Sequence, residues 1–265
     1  MGRSNHSRRG VVGSWPAGRI NNLRLAEGQG FFPARVPKRW IKFIVGIFLL
    51  VPCWVLTQTF FTVFTRAAVG ENFWRTEEFY FFVLGAILWL VAFFSLPRPF
   101  RLYVVGHELT HALWVLAMGG RVHRIFIGER GGHVLADRTN TWIALAPYFF
   151  PFYSLLVIGL YGLFGIFWDL TGWPWRPLFY ALVGLTWAFH LSFTCWLVPQ
   201  GQPDLRYGGT FFSLTVIYFL NLVCLSVMLI LATRKISFAS FLAELFNQSM
   251  DFTVGLTFLI NEWIR

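Results

Sequence analysis

The sequence contains the motif His107-Glu108-Leu109-Thr110-His111, in which two imidazoles and a carboxylate fall within five residues. On a helix, residues four apart lie on one face, so both imidazoles can reach the same metal ion. Neutral imidazole is a good ligand for Zn²⁺. Glu108, next to the first histidine, can act as a general base toward a metal-bound water. The motif therefore predicts hydrolytic metal chemistry.

The setting of the motif supports a functional interpretation. It lies in an apolar segment, residues 102–118, and Gly119 and Gly120 follow that segment as glycines commonly follow a helix. A carboxylate and two imidazoles are costly in an apolar helix, and such residues in membrane proteins usually have a function. The alternative is a solvated or internally paired polar face.

A catalytic zinc usually has three protein ligands, so the motif leaves one ligand to be found. Beyond His111 the segment rises only about 12 Å as a helix, so it need not cross a membrane after the motif. The apolar segments 141–167 and 178–198 then make one round trip through the membrane. They return the loop 199–209 to the side on which the motif lies.

Asp204 in that loop is the only acidic residue between Asp169 and Glu244. By the same count of crossings, Asp169 lies on the opposite side of the membrane. We therefore predict that Asp204 joins His107 and His111 as the third metal ligand. The alternative is that Asp204 is a turn residue or pairs with a nearby arginine.

The composition identifies the class of protein. Of the 265 residues, 56% are hydrophobic and 13% are charged, against about 45–50% and about 25% in soluble domains. A soluble fold could not cover so much apolar surface, and these figures also exclude a disordered chain. We expect an all-α polytopic membrane protein with about six membrane helices. The clearest candidate spans are residues 40–64, 79–96, 141–167, 178–198 and 210–232.

A small membrane-associated β-hairpin is predicted directly after the motif helix. Val122 to Ile127 and His133 to Ala136 have strand character, and a glycine-containing turn separates them. The edge of such a hairpin could bind an unwound substrate segment by strand addition. The alternative is a plain structural connector.

The net charge of +10 is concentrated at the N-terminus, where residues 1–42 hold nine basic residues and one acid. Residues 1–39 are predicted to form a basic mobile arm that contacts anionic lipid headgroups, with the N-terminus in the cytoplasm. Nucleic-acid binding is not predicted, because no nucleic-acid module is recognisable.

Residues 40–232 are predicted to form the membrane-embedded core. Residues 233–265 have apolar side chains at helical spacing between polar ones, which predicts an amphipathic helix at the membrane interface. A last membrane span is the alternative.

Two further polar residues lie inside apolar runs. His190 could donate a hydrogen bond to a tetrahedral intermediate, or it could be a core histidine bonded to a backbone carbonyl. Asn221 could contact substrate, or it could make a hydrogen bond between helices.

Two stretches of the chain are similar to a known family, and they are VVGHELTHALWVLAMGGRVHRIFIGERGGHV (residues 104–134) and HLSFTCWLVPQGQPDLRYGGTFFSL (residues 190–214). They resemble the site-2 protease family of intramembrane zinc metalloproteases, in its compact bacterial form without a PDZ domain. The resemblance implies a motif helix, a membrane-associated β-hairpin after it, and a later loop that supplies an aspartate to the zinc.

Carried onto this sequence, the resemblance implies His107, His111 and Asp204 as zinc ligands and Glu108 as the catalytic base. The family usually has a glycine directly after the aspartate, whereas Leu205 follows it here. The implied localisation is the bacterial plasma membrane.

The expected function is zinc-dependent hydrolysis of a peptide bond of a membrane-protein substrate, within or next to the bilayer. The alternative is a non-catalytic membrane scaffold or assembly factor with a structural or vestigial metal site. A structural zinc site normally has four protein ligands, and only three are evident here. A di-iron oxygenase would need several histidine boxes, which six histidines in total cannot supply.

Overall fold

The computed structural model describes residues 10–12, 39–70, 72–129, 131–233 and 236–265. This part of the chain is mostly helical, with one small antiparallel sheet. The strands are β1 (Gly10–Val12), β2 (Val122–Gly128) and β3 (Gly131–Ala136). The α-helices are α1 (Arg39–Thr65), α2 (Glu77–Ser95), α3 (Phe100–Ala117), α4 (Thr141–Phe149), α5 (Phe152–Gly165), α6 (Trp175–Leu197), α7 (Pro203–Gly208), α8 (Thr210–Ala232) and α9 (Phe238–Ile264). Most of the predicted basic arm lies outside the described residues.

Four of these helices are long and apolar enough to cross a membrane, which fits the multi-pass membrane protein predicted from composition. The candidate spans are Trp40–Gly70, which covers α1, Glu77–Ser95 (α2), Trp175–Gln200, which covers α6, and Thr210–Ala232 (α8). Helices α4 and α5 together make a fifth candidate, bent by 72° at the break between them. The structure therefore supports four to five spans where the sequence analysis expected about six.

The segment 141–167 is divided in two because of a proline. Pro151 has no N–H to donate to a continuing helix, and it disfavours helical geometry at Phe150 before it. Phe150 is accordingly extended, and α5 starts directly after Pro151. The break turns the α4 backbone away from α5 and toward the motif helix α3.

Helices α2 and α6 pack closely against each other, with a glycine of each at the crossing. A Cβ atom added at Gly85 would overlap the backbone carbonyl of Ala181, and one added at Gly184 would overlap that of Phe82. Small residues at membrane helix crossings allow this approach, which strengthens van der Waals packing where no hydrophobic effect acts between helices.

Gly85→Ala and Gly184→Ala are therefore expected to destabilise the protein. Overpacking costs about 1–3 kcal/mol, and here the obstacle is backbone, which cannot rotate away. A lower thermal denaturation midpoint in detergent measures the effect. Gly159→Ala on α5 is the matched control, because nothing lies within 4 Å of its added Cβ. Unchanged midpoints for the first two variants would contradict this account of the crossing.

The predicted hairpin is confirmed, and it lies on the motif helix. Strand β3 is in the middle of the sheet, in the order β1-β3-β2, with both neighbours antiparallel. Alternate residues of β3 are buried, and Val134 and Ala136 pack with Ala112 and Val115 of α3. The sheet therefore packs against the part of α3 that directly follows His111.

Helix α9 lies against α1 along one side. Phe241 packs in the cluster that contains Leu56 and Val63, and Arg66 donates to Glu244 at 3.0 Å. The C-terminal helix predicted from the sequence is thus present. Among the described helices, α9 is not one of the candidate spans, and its position at the membrane interface stays a prediction.

Candidate metal centre

Helix α3 places both histidines of the motif on one buried face. The exposed fraction is 4% for His107 and 0% for His111, and their Nε2 atoms are 3.2 Å apart. The helix ends before Gly119, whose φ of 71° is the left-handed geometry that glycine adopts at low cost. Of the helices in the described residues, α3 is not among the candidate spans.

Asp204 reaches the same point from the short helix α7. Its Oδ2 atom is 3.3 Å from His107 Nε2 and 3.6 Å from His111 Nε2. The Asp204 side chain is buried. The Ser213 hydroxyl of α8 donates to the Leu205 carbonyl of α7 at 2.9 Å, which links the two helices. These three residues form a buried group that could hold a metal ion.

The alternative interpretations of Asp204 find no support in this geometry. Asp204 is in the first turn of α7, but its carboxylate points to the two imidazoles. No ion pair between Asp204 and Arg206 is found in the described part of the chain.

Hydrogen bonds behind the imidazoles determine which nitrogen faces the metal position. His111 Nδ1 donates to the Ile143 carbonyl at 2.8 Å, so in the neutral ring Nε2 keeps its lone pair. His107 Nδ1 is 3.1 Å from the Tyr103 hydroxyl. Partners of this kind orient a histidine and raise its basicity as a ligand.

Tyr148 supports the carboxylate in the same way. Its hydroxyl donates to Asp204 Oδ2 at 3.2 Å, and the residue is fully buried. Neither tyrosine was predicted from the sequence. Tyr103 could have been found, because it is four residues before His107 and shares its helix face. Nothing in the sequence pointed to Tyr148.

The ligand atoms need a positive charge between them. A carboxylate oxygen and an imidazole nitrogen that carries a lone pair repel one another at the distances found here. Two hydrogen-bond acceptors buried this close are unfavourable unless a proton or a cation lies between them. A bound cation would satisfy all three at once.

Glu108 lies beside this group and under strand β3. It is completely buried, and neither carboxylate oxygen has a hydrogen-bond partner among the described residues. A Cβ added at Gly132 would come within 2.7 Å of Glu108 Cγ and 3.0 Å of Oε1. Glycine at this position therefore lets β3 pass directly over the carboxylate. A buried carboxylate with no protein partner is a candidate for chemistry.

His190 lies near the metal centre without belonging to its ligand group. A small cavity of about 20 Å³ lies between α3, the α4–α5 break and α6, and both His107 and His190 line it. Its other walls are mainly aromatic, with Tyr103, Tyr153 and Phe189 among them. A contact of His190 with substrate stays a prediction.

Asn221 makes the helix–helix hydrogen bond that was one of its two predicted roles. Its Nδ2 donates to the Tyr148 carbonyl on α4 and to the Ile217 carbonyl on its own helix, both at 2.8 Å. The residue thereby links α8 to the tyrosine that supports Asp204. A contact with substrate stays a prediction here too.

No family model, curated protein or solved structure matches this chain. The chemistry of the metal centre itself is therefore the basis for a functional proposal.

Proposed function

We propose that the protein is a zinc metalloendopeptidase of the site-2 protease type, which hydrolyses a peptide bond of a membrane-protein substrate within or next to the bilayer. One observation carries the proposal. The three ligand atoms are separated by 3.2, 3.3 and 3.6 Å. Ligands bound to a tetrahedral zinc at about 2.0–2.1 Å are about 3.3 Å from one another.

The ligand set favours a catalytic site over a structural one. Structural zinc sites use four protein ligands, whereas catalytic sites use three and keep one position for water or substrate. The group found in the described residues has three members, His107, His111 and Asp204. A scaffold protein with a closed zinc site would need a fourth.

The residues around the metal position have distinct roles in this mechanism. A zinc ion held by His107, His111 and Asp204 would supply Lewis-acid chemistry to water and to the scissile carbonyl. Glu108, which has no other hydrogen-bond partner among the described residues, accepts the proton of the attacking water and passes it to the leaving amine. Tyr103 and Tyr148 hold His107 and Asp204 in position. Burial of the group excludes bulk water.

The membrane setting supports the proposed substrate class. The motif helix packs against α2 and α6 through Tyr103 and Val104. Both of these helices are apolar enough to span a membrane and expose large apolar side chains. Lipid is the environment that such surfaces require. A substrate that reaches His107 from this environment is itself a membrane protein. The basic N-terminal region supports a cytoplasmic N-terminus.

Removal of the metal should abolish hydrolysis reversibly. Detergent-solubilised protein is expected to cleave fluorescein-labelled casein, a disordered chain, to lose this activity with 1,10-phenanthroline, and to regain it with one equivalent of Zn²⁺. Casein stands in for the unidentified substrate, and Mg²⁺ is the control, since it prefers oxygen ligands. Cleavage that persists without metal would contradict the proposal.

A second measurement does not depend on the choice of substrate. Co²⁺-substituted protein is expected to change its visible spectrum when acetohydroxamate is added, because an open coordination position can accept this ligand. A tightly bound Co²⁺ whose visible spectrum does not change when acetohydroxamate is added would favour the scaffold alternative.

A further inference from the structure

Strand β1 is a piece of the N-terminal region that has joined the sheet on the motif helix. Gly10, Val11 and Val12 pair antiparallel with Ala136, Leu135 and Val134 of β3. Strand β2 covers the other edge of β3. The chain's own N-terminal segment therefore occupies the remaining edge of the central strand.

This edge leads directly to the candidate catalytic base. Strand β3 passes over Glu108 at Gly132. The stretch of β3 that pairs with β1 ends at Val134, two residues away. Two residues of an extended strand cover about 7 Å. Any chain paired along the whole β3 edge would thus run past the metal centre.

Pairing at a strand edge tolerates many sequences, because backbone N–H and C=O groups make the hydrogen bonds. A protease needs its substrate in extended form, which is the form that pairs with a strand. Two chains cannot use the same backbone groups of β3 at once. Occupation by Gly10–Val12 and docking of a substrate on this edge are therefore mutually exclusive.

We propose that Gly10–Val12 is an internal, displaceable strand that competes with extended substrate for the edge of β3. The inhibitory part of this proposal rests on the proposed protease function, whereas strand docking itself does not. The free edge of β2 is the rival docking site, but it is β3 whose backbone contacts Glu108 and already holds a strand.

Val11→Pro in the full-length chain tests the proposal, because proline lacks an N–H and is poorly tolerated within a pairing strand. The probe is a fluorescent peptide of residues 6–16. If the internal strand occupies the edge nine-tenths of the time, its removal should tighten peptide binding about tenfold. Cleavage of labelled casein should rise by a similar factor. Val11→Thr, which keeps the amide and the β-branched side chain, is the matched control and should behave like the wild type.

A disulfide between Val11→Cys and Leu135→Cys, partners in the observed register, provides the opposite test. The oxidised form should bind the peptide and cleave casein less than its reduced form does. A peptide that fails to bind Val11→Pro would overturn strand docking. Normal peptide binding with unchanged cleavage in both variants would overturn competition with substrate and point to the β2 edge.

Failure of the protease function would look different. In that case no variant would cleave casein, whereas the peptide would still bind Val11→Pro more tightly than it binds the wild type. That result would support strand docking on β3 and would count against the inhibitory part together with the protease proposal.

Discussion

Glu108→Gln is expected to abolish peptide hydrolysis and to leave the metal bound. Glutamine has nearly the same shape, so it fits under Gly132 as the glutamate does. Its amide cannot accept a proton from water, and loss of a general base typically costs a factor of about 10²–10⁴ in rate. The metal should stay, because His107, His111 and Asp204 form the ligand group without Glu108. Casein cleavage and zinc content of the same preparation measure both effects.

The matched control is Glu129→Gln on the turn of the hairpin. The Glu129 side chain is 79% exposed, and its ion pair among the described residues is with Arg101 at 3.7 Å. The substitution therefore removes one exposed ion pair, which is worth about 0–1 kcal/mol. Its activity should equal that of the wild type. A Glu108→Gln variant that retains more than about a tenth of the wild-type rate would rule out the glutamate as the base.

Asp204→Ala is expected to lose the metal. The substitution removes the only anionic member of the ligand group and leaves two imidazoles. Loss of a residue that merely supports a ligand typically costs about 10–100-fold in metal affinity, and loss of a ligand itself should cost more. Zinc content per chain after desalting should fall from about one in the wild type to a small fraction in the variant.

Asp169→Ala is the control for this second experiment. Asp169 lies in the loop between α5 and α6, and hydrogen bonds from Thr171 lower the pKa of its exposed carboxyl. The Asp169→Ala variant loses an ionised carboxylate that is far along the chain from the motif. The zinc content of this variant should therefore match that of the wild type. Full retention of zinc by Asp204→Ala would move the third ligand elsewhere, with His190 as the first candidate.

Much of the local structure could be predicted from the sequence. The motif helix was expected at residues 102–118 and is found at Phe100–Ala117. The hairpin and the long apolar helices also lie close to their predicted positions. These features depend on spacing and apolar periodicity within short segments, which a sequence displays directly.

The packing of segments against one another is the part that the sequence did not show. The prolines of segment 141–167 indicate a kinked span, and in the structure the segment bends by 72° at the break between α4 and α5, with its first half packed against the motif helix. The number of candidate spans is four, or five if this bent pair is counted as one. A proline marks a probable break, but the direction of the turn after it is determined by the neighbouring helices.

Composition and local spacing predicted the class of protein, the motif helix with its two histidines, and Asp204 as the remaining acidic candidate. The packed structure was needed to show that the Asp204 carboxylate lies 3.3 Å from His107, that Tyr148 supports it, and that Gly10–Val12 pairs with β3. The physical reason is the range of the interactions. Helix spacing and apolar runs are properties of neighbouring residues, whereas these contacts join segments that are distant in the chain. Their geometry arises only when the helices have packed and brought those segments together.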